Sequence, residues 1–116
     1  LKVSDAAQFK GGVYYRVRDV NSTSTIEATD YVLRCIQTAN ITITLPPKAS
    51  SAGRVLIFKD VRGNAGSPNN DTITLDGDGS DEIDGSATYI IDNPKESVTL
   101  TCDGINGWMI TSKFTG

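Results

Sequence analysis

Ile41-Thr42-Ile43-Thr44-Leu45 decides the fold class: apolar and hydroxyl side chains alternate along it, and Pro46-Pro47 ends it. Successive side chains of a strand point to opposite sides of the sheet, so the segment offers one apolar face to a core and one hydroxyl face to water. The rhythm returns in Thr72-Ile73-Thr74-Leu75 and in Ser97-Val98-Thr99-Leu100-Thr101-Cys102, with clusters of Gly, Asn, Asp and Pro between them. The chain is all-β on this reading.

Working outward, Val13, Tyr15 and Val17 alternate with Tyr14, Arg16 and Arg18, which predicts a first strand with apolar groups on one side and charge on the other. Asn21-Ser22-Thr23-Ser24 predicts a turn. Residues 31–37 and 40–45 predict two further strands, the second stopped because proline cannot donate to a ladder. Val55-Leu56-Ile57-Phe58 is apolar on both faces. It predicts a central strand, or one packed on its own core on one side and on a partner chain on the other. Short strands follow at 72–75, 82–83 and 88–91. Residues 97–102 and 107–112, joined by Asp103-Gly104-Ile105-Asn106-Gly107, predict a hairpin. Nine or ten short strands and no long amphipathic helix predict an antiparallel β-sandwich or jelly-roll-like domain.

A chain of 116 residues forms one domain, burying roughly two-thirds of the surface its unfolded form exposes. Residues 13–116 read as the β-domain and residues 1–12 as a connecting arm to a longer shaft. The start at Leu1, with no initiator Met and no signal-like apolar stretch, predicts the C-terminal piece of a longer polypeptide. The net charge is −3 and the eleven Lys and Arg residues are scattered, so no basic stripe is available to nucleic acid. Apolar runs are only a few residues long, which excludes membrane insertion by a helix.

Catalytic chemistry finds little to use. The chain has no histidine, neither Cys35 nor Cys102 has a base to activate it, and there is no Gly-x-Ser-x-Gly elbow. The two cysteines sit in separate strand-like runs, as buried free thiols or as a disulfide if the fold brings them together. The acidic run Asp76-Gly77-Asp78-Gly79-Ser80-Asp81-Glu82-Ile83-Asp84-Gly85 reads as a solvated turn or, less economically, as a calcium loop. An EF-hand needs Gly at the sixth position, where Asp81 stands. Pairs such as Asp81 with Asp84 or Asp76 with Glu82 have the residue types of a glycosidase but no recognisable cleft around them. Arg62-Gly63-Asn64 lacks the Lys-Ser/Thr ending of a phosphate loop. No catalytic residue, metal site or cofactor is assigned. The triplets at Asn21, Asn40 and Asn70 match glycosylation acceptors but are expected by chance in so Thr-rich a chain. Trp108 reads as a core or interface plug, or else as a sugar-stacking platform. Tyr14, Tyr31 and Tyr89 are the other aromatic candidates.

In order, the chain carries Asp30-Tyr31-Val32, Ile41-Thr42-Ile43-Thr44-Leu45-Pro46, Ala52-Gly53-Arg54, Ile57-Phe58-Lys59-Asp60, Gly63-Asn64-Ala65, Ile73-Thr74-Leu75, Ile83-Asp84-Gly85, Ser97-Val98-Thr99-Leu100 and Asp103-Gly104 with Gly107-Trp108. As an ordered set spanning about residues 28 to 112, these resemble the C-terminal β-domain of bacteriophage and virus fibre proteins and related virion appendages. The resemblance implies a non-enzymatic trimeric tip on the virion surface that folds the trimer, binds a host receptor, or both. It supplies no catalytic residue and no cofactor.

The residues expected to act follow from their positions. Val55, Ile57 and Phe58 are the candidate trimer contacts, because a strand without a polar face needs covering on both sides. Asn64, Asn69, Asn70 and Asp71 are the candidate receptor contacts, because polar loop tips on a rigid scaffold are where binding usually resides. A host glycan or protein is the expected external partner. Two other readings compete: a β-sandwich carbohydrate-binding module, and a capsid-decoration or assembly domain with no receptor.

Overall fold

The computed structural model describes residues 14–116, so the proposed arm at 1–12 and Val13 lie outside the described residues. Among the described residues ten strands form two sheets around one core. Sheet A has the order β1 (Val17–Val20), β3 (Val32–Cys35), β5 (Val55–Asp60), β9 (Ser97–Cys102), β10 (Gly107–Phe114), β7 (Glu82–Ile83). Sheet B has the order β2 (Ser24–Thr25), β4 (Ile41–Thr44), β6 (Ile73–Asp76), β8 (Thr88–Ile91). A 3-10 turn, Lys48–Ser50, follows Pro46-Pro47.

The antiparallel expectation needs correcting. From β1 to β8, consecutive strands fall in opposite sheets, and through β6 the chain winds so that each strand lies beside the one two steps earlier, whereas β7 pairs in parallel with β10 at the far edge of sheet A. Same-sheet neighbours therefore run parallel: β1 with β3, β3 with β5, β2 with β4 and β4 with β6. Antiparallel pairing enters where the winding ends, as β5 with β9, β9 with β10 and β6 with β8. The two sheets are mixed and compatible with a sandwich. The 97–102 and 107–114 hairpin is present, with a register shift between Ile110 and Ser112.

Period-two patterning sets the core. Ile41, Ile43, Ile73, Leu75 and Ile91 of sheet B face Leu33, Leu56, Phe58, Val98, Leu100 and Trp108 of sheet A, all buried. Trp108, with 2% of its surface exposed, is a core residue and offers no stacking platform. Cys35 and Cys102 are buried free thiols. Burial pushes the Cys35 thiol up to about 12, which keeps it protonated and inert.

Three positions depart from what patterning predicts. Ser24, read as the last residue of a turn, opens β2 with Thr25, and the two pair with Ile43 and Thr44. The first strand begins at Val17, with Tyr14 to Arg16 lying outside it. Its apolar side faces outward: Val17 is 53% exposed, whereas Arg18 turns toward the core edge beside Val20. Asp60 occupies an inward position of β5 and is fully buried. Its carboxylate accepts hydrogen bonds from Ala65 N (3.0 Å), Lys95 N (3.1 Å) and Gln37 Nε2 (3.3 Å), so an inward acid here anchors two loops.

Candidate functional site

The two sheets differ on their outer faces, and the difference locates the candidate site. Sheet B presents Thr42 opposite Thr74 and Thr44 opposite Asp76, a hydroxyl and carboxylate ladder suited to water, with Ile90 exposed toward its edge. Sheet A presents Val17 opposite Val32 and Val32 opposite Ile57, an in-register apolar row across three parallel strands. Thr99 continues that row on β9. Beside it Val55 pairs with Thr101, which pairs in turn with Met109. Val32, Val55 and Ile57 are half-buried, and among the described residues no strand or helix forms a layer over that face. Parallel strands are usually covered on both faces, so a bare apolar one is informative.

Aromatic and charged groups border the row. Tyr15 stacks on Tyr31 with ring centroids 4.3 Å apart, and Tyr14 is 94% exposed. On the other side lies a charged row in which Asp19 is opposite Arg34 and Arg34 opposite Lys59. Arg34 Nη1 reaches Asp19 Oδ1 at 2.5 Å, and Lys59 lies 4.8 Å from the Phe114 ring centroid. Both signs of charge thus flank an apolar centre, the usual layout of a protein-binding face.

Under the aromatic pair, buried Asp30 gathers the chain. It accepts from Arg18 Nη2 at 2.7 Å and Nε at 2.8 Å, from Arg16 Nη1 at 3.0 Å and from Glu27 N at 2.8 Å, while Arg54 Nη2 donates to its carbonyl at 3.1 Å. Burial pushes the Asp30 carboxyl up, but the hydrogen bonds from Arg18 and Glu27 and the nearby arginine charges outweigh it and hold the group below its ordinary value. The same Asp30 hydrogen bond raises the Arg18 pKa against the opposing effect of burial. A carboxyl with a lowered native pKa contributes stability that is full above its unfolded value, about 4, and lost as pH falls through the native value. Asp30→Asn is therefore expected to cost about 2 kcal/mol near neutrality, since both arginines remain partly hydrated. Urea unfolding of both proteins should show that difference shrinking as pH falls below about 4. A pH-independent difference would mean that the ion pairs contribute nothing beyond shape.

The loop chosen for receptor contact is held firmly at its base. Asn64 Nδ2 donates to Gln37 O at 3.0 Å, Asn64 O accepts from Asp71 N at 2.8 Å, and Asp71 O accepts from Gln37 Nε2 at 2.8 Å. Asn64 and Asp71 are half-buried and support the loop. Asn69 and Asn70 are exposed at its tip, Asn70 with a φ of 56°. Phe58 is 0% exposed and points into the protomer, away from Val55 and Ile57. A contact through β5 would thus use Val55 and Ile57. Val17 and Val32 join that face but escape sequence reading, because alternation gives faces and not which strands are neighbours.

The acidic segment is used locally. Asp81 Oδ2 accepts from Lys48 N at 2.9 Å and Asp84 Oδ2 from Ile110 N at 3.1 Å. Among the described residues no cluster of three or more His, Cys, Asp or Glu is arranged to hold a metal ion. A surface pocket of about 370 Å³ lies here, lined by Glu82, Asp84, Gly85, Asp103, Asn106, Trp108 and Met109. Of the acceptor triplets, Thr23 Oγ1 is bound by Thr42 N and Asn40 Oδ1 by Thr72 N, so both are engaged in strand connections. Among the described residues no helix is long and apolar enough to cross a membrane. No protein-family model matches the chain, and no curated protein matches it.

Proposed function

We propose that this chain is a non-enzymatic structural domain of a virion fibre or appendage, a homotrimeric tip that registers three chains and carries host attachment on its loops. The supporting observation is the apolar row Val17, Val32 and Ile57 on the outer face of sheet A, with Val55 beside it and no second layer over it among the described residues. Three copies in cyclic arrangement would each cover part of that surface and close the ring. The anchored 61–71 loop supports the attachment role, since its tip at Asn69 and Asn70 stands on a pinned base.

A glycan-binding module is the second reading, favoured by the exposed Tyr14 beside the Tyr15–Tyr31 stack. A decoration domain without a receptor is the third. Binding of the purified chain to intact host cells and to a glycan panel separates them. Attachment through the loop predicts cell binding that falls when Asn69 and Asn70 are replaced by alanine. Binding lost instead with Tyr14→Ala selects the glycan module, and no binding by any form removes the attachment role.

A further inference from the structure

The β9–β10 hairpin contains the dipeptide Asn106-Gly107, and its chemistry lies beyond the proposed attachment role. In a flexible chain a glycine nitrogen is unshielded and its backbone unusually free, so it can approach the preceding asparagine side chain. Here that peptide is clamped. Asp103 Oδ1 accepts from Gly107 N at 3.0 Å, from Asn106 N at 2.9 Å and from Ile105 N at 2.7 Å. Asn106 O accepts from Glu82 N at 3.1 Å, and Asp103 N donates to Gly107 O at 2.9 Å. Gly107 has a φ of 148° and packs so closely on β7 that a Cβ would come 2.1 Å from Glu82 O. Asn106 itself is exposed.

We propose that Asn106-Gly107 is a deamidation site held in check by the Asp103 clamp. In the reaction Gly107 N attacks Asn106 Cγ. The N–Cγ bond forms, the Cγ–Nδ2 bond breaks, and the Gly107 amide proton leaves with the departing nitrogen as ammonia. Water then opens the cyclic imide at either carbonyl to aspartate or isoaspartate, with no oxidant or reductant. The folded hairpin opposes the first step twice: Gly107 N is engaged by a carboxylate, and its peptide plane is fixed between Asp103 and Glu82. Conversion would add a carboxylate to the pocket already lined by Glu82, Asp84 and Asp103. The isoaspartyl form would also insert a methylene beside the Gly107–Glu82 pairing.

Peptide mass spectrometry during incubation in mildly alkaline buffer tests this, comparing the folded chain, the chain in urea, Asp103→Ala and Asp103→Ser. The folded chain is expected to convert at least about tenfold more slowly than the unfolded one, as for other chemistry gated by local opening. Asp103→Ala should recover most of that rate while its Trp108 fluorescence stays that of a buried indole. Asp103→Ser, which keeps an acceptor oxygen and creates no new Asn-Gly pair, should convert more slowly than Asp103→Ala. Equal rates in folded and unfolded chain, or a folded Asp103→Ala that reacts no faster than the parent, would overturn the proposal. Should Asp103→Ala unfold, hydrogen exchange at the Gly107 amide of the parent decides: protection supports the clamp and free exchange refutes it.

Discussion

Phe58→Ala is expected to lower the unfolding free energy by about 3–5 kcal/mol and to leave the assembly state of the folded protein unchanged. Phe58 lies at the centre of an inward row, opposite Leu33 on β3 and Val98 on β9, and is fully buried within one protomer. Truncation removes the transfer free energy of the ring and leaves a cavity that packed sheets on either side cannot collapse around. The comparison must be made at one protein concentration, because association adds to apparent stability by mass action. Urea unfolding reads the stability and sedimentation reads the mass. A variant of unchanged stability that dissociates would place Phe58 at an interface, contrary to its position in the core.

The opposite pattern is expected of Ile57→Asp. Ile57 precedes Phe58 but faces outward, between Val32 and Thr99 in the bare row. In an isolated protomer the new carboxylate meets water, and the cost is limited to strand propensity and lost side-chain contacts, about 1 kcal/mol. At an interface it is desolvated without a partner, which weakens association by on the order of a hundredfold or more. The variant should remain folded and sediment as a smaller species. Undiminished assembly would show that the row is not the contact surface.

These two neighbours also show how far the sequence could be read. Alternation placed Ile41, Ile43, Ile73, Leu75, Val98 and Leu100 on one side of their strands, and that side is the core. The hairpin was legible because its turn residues sit between two clear runs. Alternation carries no information about which strand lies beside which, so it could not reveal the winding that makes neighbours parallel. It also hid the assembly of Val17, Val32 and Ile57 into one row from three distant segments. Arg18 and Asp60 escaped it for a different reason. Charged residues are expected outside, yet Arg18 closes the core edge by pairing with Asp30, and Asp60 turns inward to accept three donors. Asn64 looked like a loop tip because its neighbours are small and polar. Its amide instead holds the base of the loop against Gln37.

Sedimentation equilibrium of the parent chain and Ile57→Asp over a dilution series addresses the central claim most directly. A concentration-independent trimer for the parent, reduced to monomer in Ile57→Asp, is the predicted result. A parent chain that is monomeric at every concentration would contradict it, leaving the outer face of sheet A without a second copy to cover it.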